Sequence, residues 1–356
     1  MDAAGGLNLG LVVGRLARDG GTEGQAWALA GCLAGRGHRV TVYCGEASDP
    51  PPGVAVRAVL PRRSEWRLAR AVARLLLAEH DLVQTFLRVP GGAVHRAGGG
   101  AHRVWLRARG GWPRPADLLV LRAERRAVQA ARVVVCNSEQ AALDLRVAHG
   151  LSAARVRVVR NGVDLDRFRP DPARRAAARA AWGVPAGGRV ALFVGSGFRR
   201  KGLVVAAAAF ARVATATDRL VVLGTDAHAT RWLQTARAHA GGRILTLGRR
   251  PDPERWIPGA DAVILPTLYD PSANSTIEAL ACGIPAITSG RDGAGEIVPD
   301  RALVVSDPLD VAGFARALVR AWACPSPDPW RKAAAGWPVS RMADAAEAIY
   351  RELLNG

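Results

Sequence analysis

Lysine is almost missing: it occurs only at Lys201 and Lys332, in a chain of 356 residues with 49 basic ones and a net charge of +18. Nearly every cation is therefore Arg, and alanine is abundant. That bias has the look of a GC-rich genome, so the charge says less about function than its size suggests. No apolar run reaches the roughly 20 residues that span a bilayer. The first residues, MDAAGGLNLGLVVG, carry no basic leader and run directly into a strand pattern, so no signal peptide is expected. The five cysteines, Cys32, Cys44, Cys136, Cys282 and Cys324, lack metal-ligand spacing. They read as reduced core thiols of a cytoplasmic protein. HExxH, paired CxxC and GxSxG patterns are not found, which removes three common signatures of hydrolytic and metal chemistry.

What is present is 49% hydrophobic, long enough for two domains with ample cores. The excess charge calls for an anionic partner: a membrane, a nucleic acid or a phosphorylated substrate. No recognisable nucleic-acid fold or interleaved aromatic ridge accompanies it, so no nucleic acid is expected.

The most informative stretch runs from Ala260 to Ser289. Ala262 to Leu265 predicts a buried parallel strand that Pro266 ends. A loop follows over Tyr269 to Ala273, then a helix from Asn274 or Ser275 with Ile277, Leu280 and Ala281 on one face. Gly283 and Pro285 stop it, and Ala286 opens another strand. The loop at such a strand's carboxyl end is where open α/β sheets bind ligands, and the helix N-terminus behind it suits a phosphate. Asp270 and Glu278 bracket this loop. Ser275-x-x-Glu278 also reads as a capping box, and Asp270-Pro271 as a turn opener, so the two acids alone leave a structural reading open.

The first half opens as strand Leu9–Val13, a loop over 15–23 with Gly20-Gly21, helix Thr22–Gly35 and strand Arg39–Tyr43. An Arg-rich helix is expected over 66–79, then strands over Leu82–Phe86, Arg132–Asn137 and Val156–Val159. Ser138 is a plausible helix cap. His102 to Arg126 interleaves seven arginines with Trp105, Leu106 and Trp112, the composition of an interfacial anchor; a helix Ala116–Ala131 with a solvated basic face is the alternative. The second half opens with strand Val190–Val194 and the loop Gly195-Ser196-Gly197-Phe198-Arg199-Arg200-Lys201-Gly202. It is not a Walker A loop, because the spacing and the Ser/Thr after Lys are missing. A Lys here, where Arg is the rule, points to a need for a compact point charge. Strands follow over Leu220–Leu223 and Arg243–Leu247, the latter running into Arg249, and a final helix over Met342–Leu354.

Asp270-x7-Glu278 followed by Ala-Leu-Ala-Cys-Gly-Ile-Pro resembles the signature of the retaining GT-B glycosyltransferases of family 4. Asn161-Gly162-Val163-Asp164 with Phe168 resembles that family's interdomain crossing. The loop Gly195–Gly202, and Val94–Trp105 more loosely, are similar to segments of the lipopolysaccharide core (heptosyl) glucosyltransferases. The resemblance implies an α/β chain of two Rossmann-like, doubly wound domains, 1–162 and 163–333, with a cleft between them. A terminal helix over 334–356 would pack back on the first domain. It implies retaining transfer from a nucleotide sugar, UDP-glucose or similar, to a hydroxyl of a glycan or lipid-linked acceptor such as lipopolysaccharide core; another polysaccharide or a small acceptor is the alternative. Arg200 and Lys201 would meet the diphosphate, with Gly195, Ser196, Ala273, Asn274 and Ser275 around it. Asp270 would hold the sugar, Glu278 the ribose and Arg249 the base. Gly20 and Gly21 would lie on the acceptor side, and His102 near the reacting centre. No metal or other cofactor is expected. Three departures stand out: Asp270 where the family usually has Glu, Ala273 where many relatives have Gly, and Gly99 where an Asp is frequent. The expected location is cytoplasmic, peripheral on the inner face of the plasma membrane through residues 102–126.

Overall fold

A computed structural model of the chain describes residues 5–58, 79–324 and 326–356. The amphipathic helix expected over 66–79 lies outside them but for Glu79. The chain divides into two compact units, 1–162 with 339–356, and 163–338.

The first unit is built on seven parallel strands among its described residues. Their order is Val54–Ala58, Arg39–Cys44, Asn8–Val12, Leu82–Thr85, Val94–Arg96, Val133–Cys136 and Val156–Val158. The order reverses beside Asn8–Val12, the mark of a doubly wound sheet. Val133–Cys136 is buried at every position, which is why it reads as a continuous apolar run rather than an alternating one. Helix Thr22–Gly35 follows the first strand as its apolar spacing predicts. The loop expected over 15–23 is less irregular than it reads: Arg15–Leu16 pairs with Glu46–Ala47, a contact that depends on a distant segment.

Gly162 is held by Gln25, whose side chain donates to its carbonyl and accepts from its N–H, each at 3.0 Å. A Cβ on Gly162 would sit 2.7 Å from the Val339 Cα, so the Asn-Gly pair marks a close backbone approach as well as a turn. The last helix, Val339–Asn355, buries Met342, Ala346, Ile349, Tyr350 and Leu353 in the core of this unit. Tyr350 donates to Gln84 at 2.8 Å.

The second unit has six parallel strands among its described residues. Their order is Ile244–Gly248, Arg219–Leu223, Val190–Val194, Ala262–Leu265, Ala286–Ser289 and Val304–Val305. The boundary expected at 333/334 falls instead at 338/339. Helix Asp328–Ala335 buries Trp330 and Ala334 in the second core. Arg331 beside them donates to the carbonyls of Leu165 (2.9 Å), Phe168 (2.6 Å) and Ala281 (2.7 Å). Charge-assisted bonds of this kind are each worth about 1.5–3 kcal/mol, enough to keep this segment with the second unit. Two Rossmann-like parallel sheets in one chain are the α/β, GT-B architecture that the sequence predicts.

Candidate active site

Three segments of the second unit meet at the carboxyl ends of adjacent strands. The first follows strand Val190–Val194 and contains a single helical turn, Phe198–Lys201. Gly202, at φ +79°, closes that turn, and a Cβ there would lie 2.0 Å from the carbonyl oxygen of Pro266. Only glycine lets the two segments approach so closely. The Arg200 carbonyl then accepts from Leu268 N–H (2.8 Å) and the Thr267 hydroxyl (3.0 Å). Asp226 accepts from the Phe198 N–H at 2.6 Å and so caps the turn from the neighbouring strand's end.

This register brings the predicted cations onto the predicted acid. Lys201 Nζ lies 2.7 Å from Asp270 Oδ2. Arg200 Nη1 donates to the same oxygen at 2.5 Å and to the Tyr269 carbonyl at 3.2 Å. Lys201 is 6% exposed and Asp270 7%, so Lys201 is not a solvated turn residue. Burial pushes the Asp270 carboxyl up, but the charges of Lys201 and Arg200 and their hydrogen bonds outweigh it and hold it below the usual carboxylate range. A second buried carboxyl, Asp292, lies within reach of the same charges: burial and then the Asp270 charge push it up, while Lys201 pulls it down.

The second segment is helix Asn274–Ala281. Its start corrects the capping-box reading. Ala273, not Ser275, takes the cap position, and no side chain of its own caps the helix; Ser275 lies buried inside the first turn. The Ala273 N–H, expected to face the donor, is instead donated to Asp292 Oδ1 at 2.9 Å. With Ser275 inside the helix, Glu278 is freed of a capping duty. It is half-buried, yet sits deep enough among protein atoms that its carboxyl is pushed up to about 7. Burial is the chief cause, opposed by Arg167, reinforced by Glu254 and opposed again by Lys201. Arg167 is itself paired with Glu254 at 2.8 Å. No described residue donates a hydrogen bond to the Glu278 carboxyl.

The third segment is the turn after strand Ala286–Ser289, a 3-10 helix over Gly293–Ile297 capped by Asp292. Asp292 escapes sequence reading because only its Asp-Gly turn signature shows in the chain; its partners lie up to 19 residues away.

Of the remaining candidates, Gly195 and Ser196 lie in the first segment, ahead of the lysine-bearing turn, and Asn274 opens the helix of the second. Ser196 and Arg249 are exposed, and Gly195 and Asn274 half-buried. Gly20 and Gly21 belong to the first unit, exposed at the entry of helix Thr22–Gly35, with Gly21 in the cap position. His102, also in the first unit, opens helix His102–Arg109. Its Nε2 pairs with Asp117 Oδ1 at 3.2 Å, and its N–H donates to both Glu124 oxygens at 3.1 Å. His95 is buried against the Thr85 hydroxyl at 3.0 Å, and burial pushes its imidazole down to about 4. An Asp-x-Asp does occur, at Asp164-Leu165-Asp166, but Asp164 Oδ1 accepts from the N–H groups of Asp166 and Arg167 and closes its own turn.

Two family models match the chain: Glycosyltransferase Family 4 over residues 19–167 and Glycosyl transferases group 1 over 188–323. A probable transglycosylase of Burkholderia thailandensis is 31% identical over 323 residues, covering 86% of this chain and 84% of its own. The chain belongs to the family 4/group 1 glycosyltransferases. The crystal structure of WaaG, a glycosyltransferase involved in lipopolysaccharide biosynthesis, superposes on this glycosyltransferase with a TM-score of 0.77 at 20% identity, over 94% of this chain and 95% of the other. Anabaena Alr3699/HepE, crystallised with UDP and glucose, gives 0.77 at 17% identity, over 97% and 100%. The chain spans about half, 46%, of a D-inositol 3-phosphate glycosyltransferase of Catenulispora acidiphila, at 32% identity. The lysine-bearing turn, both acids and the Asp292 turn all fall within the group 1 match.

Proposed function

We propose that the protein transfers a sugar, with retention, from a UDP-type nucleotide sugar held by the second unit to a hydroxyl of a glycan or lipid-linked acceptor read by the first. The observation that carries this is the Lys201–Asp270–Arg200 cluster in the same unit as the Glu278 carboxyl, which accepts no hydrogen bond from any described residue. Departure of a nucleoside diphosphate from an anomeric carbon builds negative charge on phosphate oxygens. Two cations already held in place at the strand ends stabilise that charge with little reorganisation. Glu278 has the acceptor capacity for two ribose hydroxyls. In this reading Asp270 holds the sugar hydroxyls, with Arg200 and Lys201 fixing its carboxylate. No protein nucleophile is assigned, and the leaving phosphate itself takes the acceptor proton. Lys201 and Arg200 fill the charge-neutralising role that a metal would otherwise serve. The UDP and glucose bound by the Anabaena protein support the donor class.

The test is thermal shift with UDP, GDP and ADP, followed by hydrolysis of a panel of nucleotide sugars. UDP should raise the melting temperature most. A chain that responds to no nucleotide is not a transferase of this kind. The anomeric configuration of the first product, read by proton NMR, decides retention.

The site of action is proposed as an anionic membrane surface, the inner face of the plasma membrane, with a lipid-borne acceptor such as lipopolysaccharide core. Trp112 is 93% exposed between helices His102–Arg109 and Pro115–Ala130, and Leu118 and Leu119 are 55% and 56% exposed. Arg103, Arg122 and Arg125 line a groove of about 380 Å³ beside His149. Exposed apolar groups amid cations fit an anionic interface. Arg109 is committed to Asp117 at 2.9 Å and lies outside this set.

A further inference from the structure

Asp292 is 4% exposed, and both its oxygens are used. Oδ1 accepts from the N–H groups of Ala273 (2.9 Å) and Ala294 (3.0 Å). Oδ2 accepts from the hydroxyls of Thr276 (2.9 Å) and Thr288 (2.8 Å). These donors come from three places: the loop after strand Ala262–Leu265 with the helix it leads into, the strand Ala286–Ser289, and the turn beyond it. Thr276 and Thr288 are fully buried. The backbone repeats the link, since Asp270 N–H donates to the Arg291 carbonyl and Gly293 N–H to the Asp270 carbonyl, each at 2.9 Å. Asp270 is thus clamped on both sides of its peptide to the residues flanking Asp292.

The helix Asn274–Ala281 has no cap of its own, so its entry angle is set from across the sheet. Without that carboxylate, a buried N–H at Ala273 and a buried hydroxyl at Thr276 lose their acceptor, and a buried donor left unpaired is costly. Asp270, three residues before, and Ser275, two residues after, are positioned by the same fold of chain.

We propose that Asp292 is the positioning residue of the donor loop, a carboxylate that touches no substrate but sets Asp270 and the first turn of helix Asn274–Ala281 where a sugar diphosphate is to bind. The inference rests on the donor reading above.

Three variants and two readouts test it. In Asp292→Asn the amide oxygen accepts from Ala273 and Ala294, while its NH2 donates to Thr276 and Thr288. Thr288 can then give its own proton to the Leu265 carbonyl, 3.1 Å away. Asp292→Ala removes all four bonds. Thr276→Val removes one and leaves the rest of the core in place, which keeps the test open should the alanine variant not fold. Calorimetry with UDP is expected to show affinity per folded molecule reduced about tenfold or more in Asp292→Ala, several-fold in Thr276→Val, and within about twofold of wild type in Asp292→Asn. Amide exchange should accelerate in 270–276 in the first two variants and not across the unit. UDP affinity and exchange both unchanged in Thr276→Val and Asp292→Ala overturn the proposal, as does a uniform rise in exchange with unaltered affinity, which marks a purely structural residue. A wild-type protein that binds no UDP defeats the donor reading instead, and the exchange pattern then decides by itself whether Asp292 sets this loop.

Discussion

Lys201 Nζ and Asp270 Oδ2, 69 residues apart in sequence, stand 2.7 Å from each other with both residues more than nine-tenths buried. The cation and the acid that two separate motifs single out are one electrostatic unit, shared with Arg200. Any change to one therefore acts through the others.

Lys201→Ala is expected to lower turnover by a factor on the order of 10² through loss of leaving-group stabilisation. The fold should also be weakened, by about 2–4 kcal/mol, because Asp270 is left buried with Arg200 as its one remaining cation. Urea unfolding of Lys201→Ala, Asp270→Ala and the double variant measures the coupling. Strictly additive losses would show that the pair contributes nothing jointly. The sign with pH follows from the lowered Asp270 value: its stabilising share is present at neutral pH and fades as pH drops below the unfolded carboxylate value of about 4.

Asp270→Asn separates sugar from phosphate. Removing the negative charge frees Arg200 and Lys201, so UDP affinity should hold or rise while turnover drops about tenfold or more. A parallel fall in both, by calorimetry and by product assay, contradicts the placement of Asp270 at the sugar.

Glu278 sets a pH dependence. With its carboxyl pushed up to about 7, the folded protein holds a proton that the unfolded chain releases at lower pH, so its contribution to stability declines as pH rises toward that value. Ribose hydroxyls prefer the ionised form. Affinity for UDP-glucose, whose diphosphate charge is constant in this range, should therefore climb between pH 6 and 8 and level off above. Glu278→Gln should flatten the profile; a profile that keeps its slope in the variant assigns the titration to another group.

Gly202→Ala is predicted to destabilise by about 2 kcal/mol or more, from a left-handed conformation and a Cβ pressed on the Pro266 carbonyl. UDP affinity should fall with it, because that contact sets Lys201 against Asp270. Normal stability in urea would mean the two segments are not so tightly apposed.

Flotation with vesicles of graded anionic lipid, at low and high salt, checks the surface role of 102–126. Trp112→Ala combined with Arg103→Gln and Arg107→Gln should reduce binding to anionic vesicles several-fold, with roughly 1 kcal/mol per lost cation at low salt, and leave UDP affinity as it was. Equal flotation on neutral and anionic vesicles would exclude an electrostatic anchor.

Much of the architecture was already legible in the chain. Val190–Val194, Ala262–Leu265 and Ala286–Ser289 fall where the apolar runs place them, because a strand buried on both faces must be apolar throughout. Helix Thr22–Gly35 and the Ser138 cap, which accepts from Ala141 N–H at 3.0 Å, were equally plain, since both depend on neighbours within a few residues. Lys201, Asp270 and Glu278 could be singled out as unusual residue types in ligand-binding loops. The sequence by itself thus determined most of the central strands, the helices that follow them and the residues worth watching, but not the order of the strands. Only the tertiary structure decided their relations: that Lys201 answers Asp270, that Ala273 rather than Ser275 takes the helix cap position, that Glu278 accepts no hydrogen bond from a described residue, and that Asp292 reaches Ala273 from 19 residues away. Those relations depend on the register of Ala262–Leu265 against Ala286–Ser289 and of Val190–Val194 against Ala262–Leu265. Such register comes from the cooperative packing of whole strands, and no local signal around Asp270 or Asp292 encodes which distant donor will reach it.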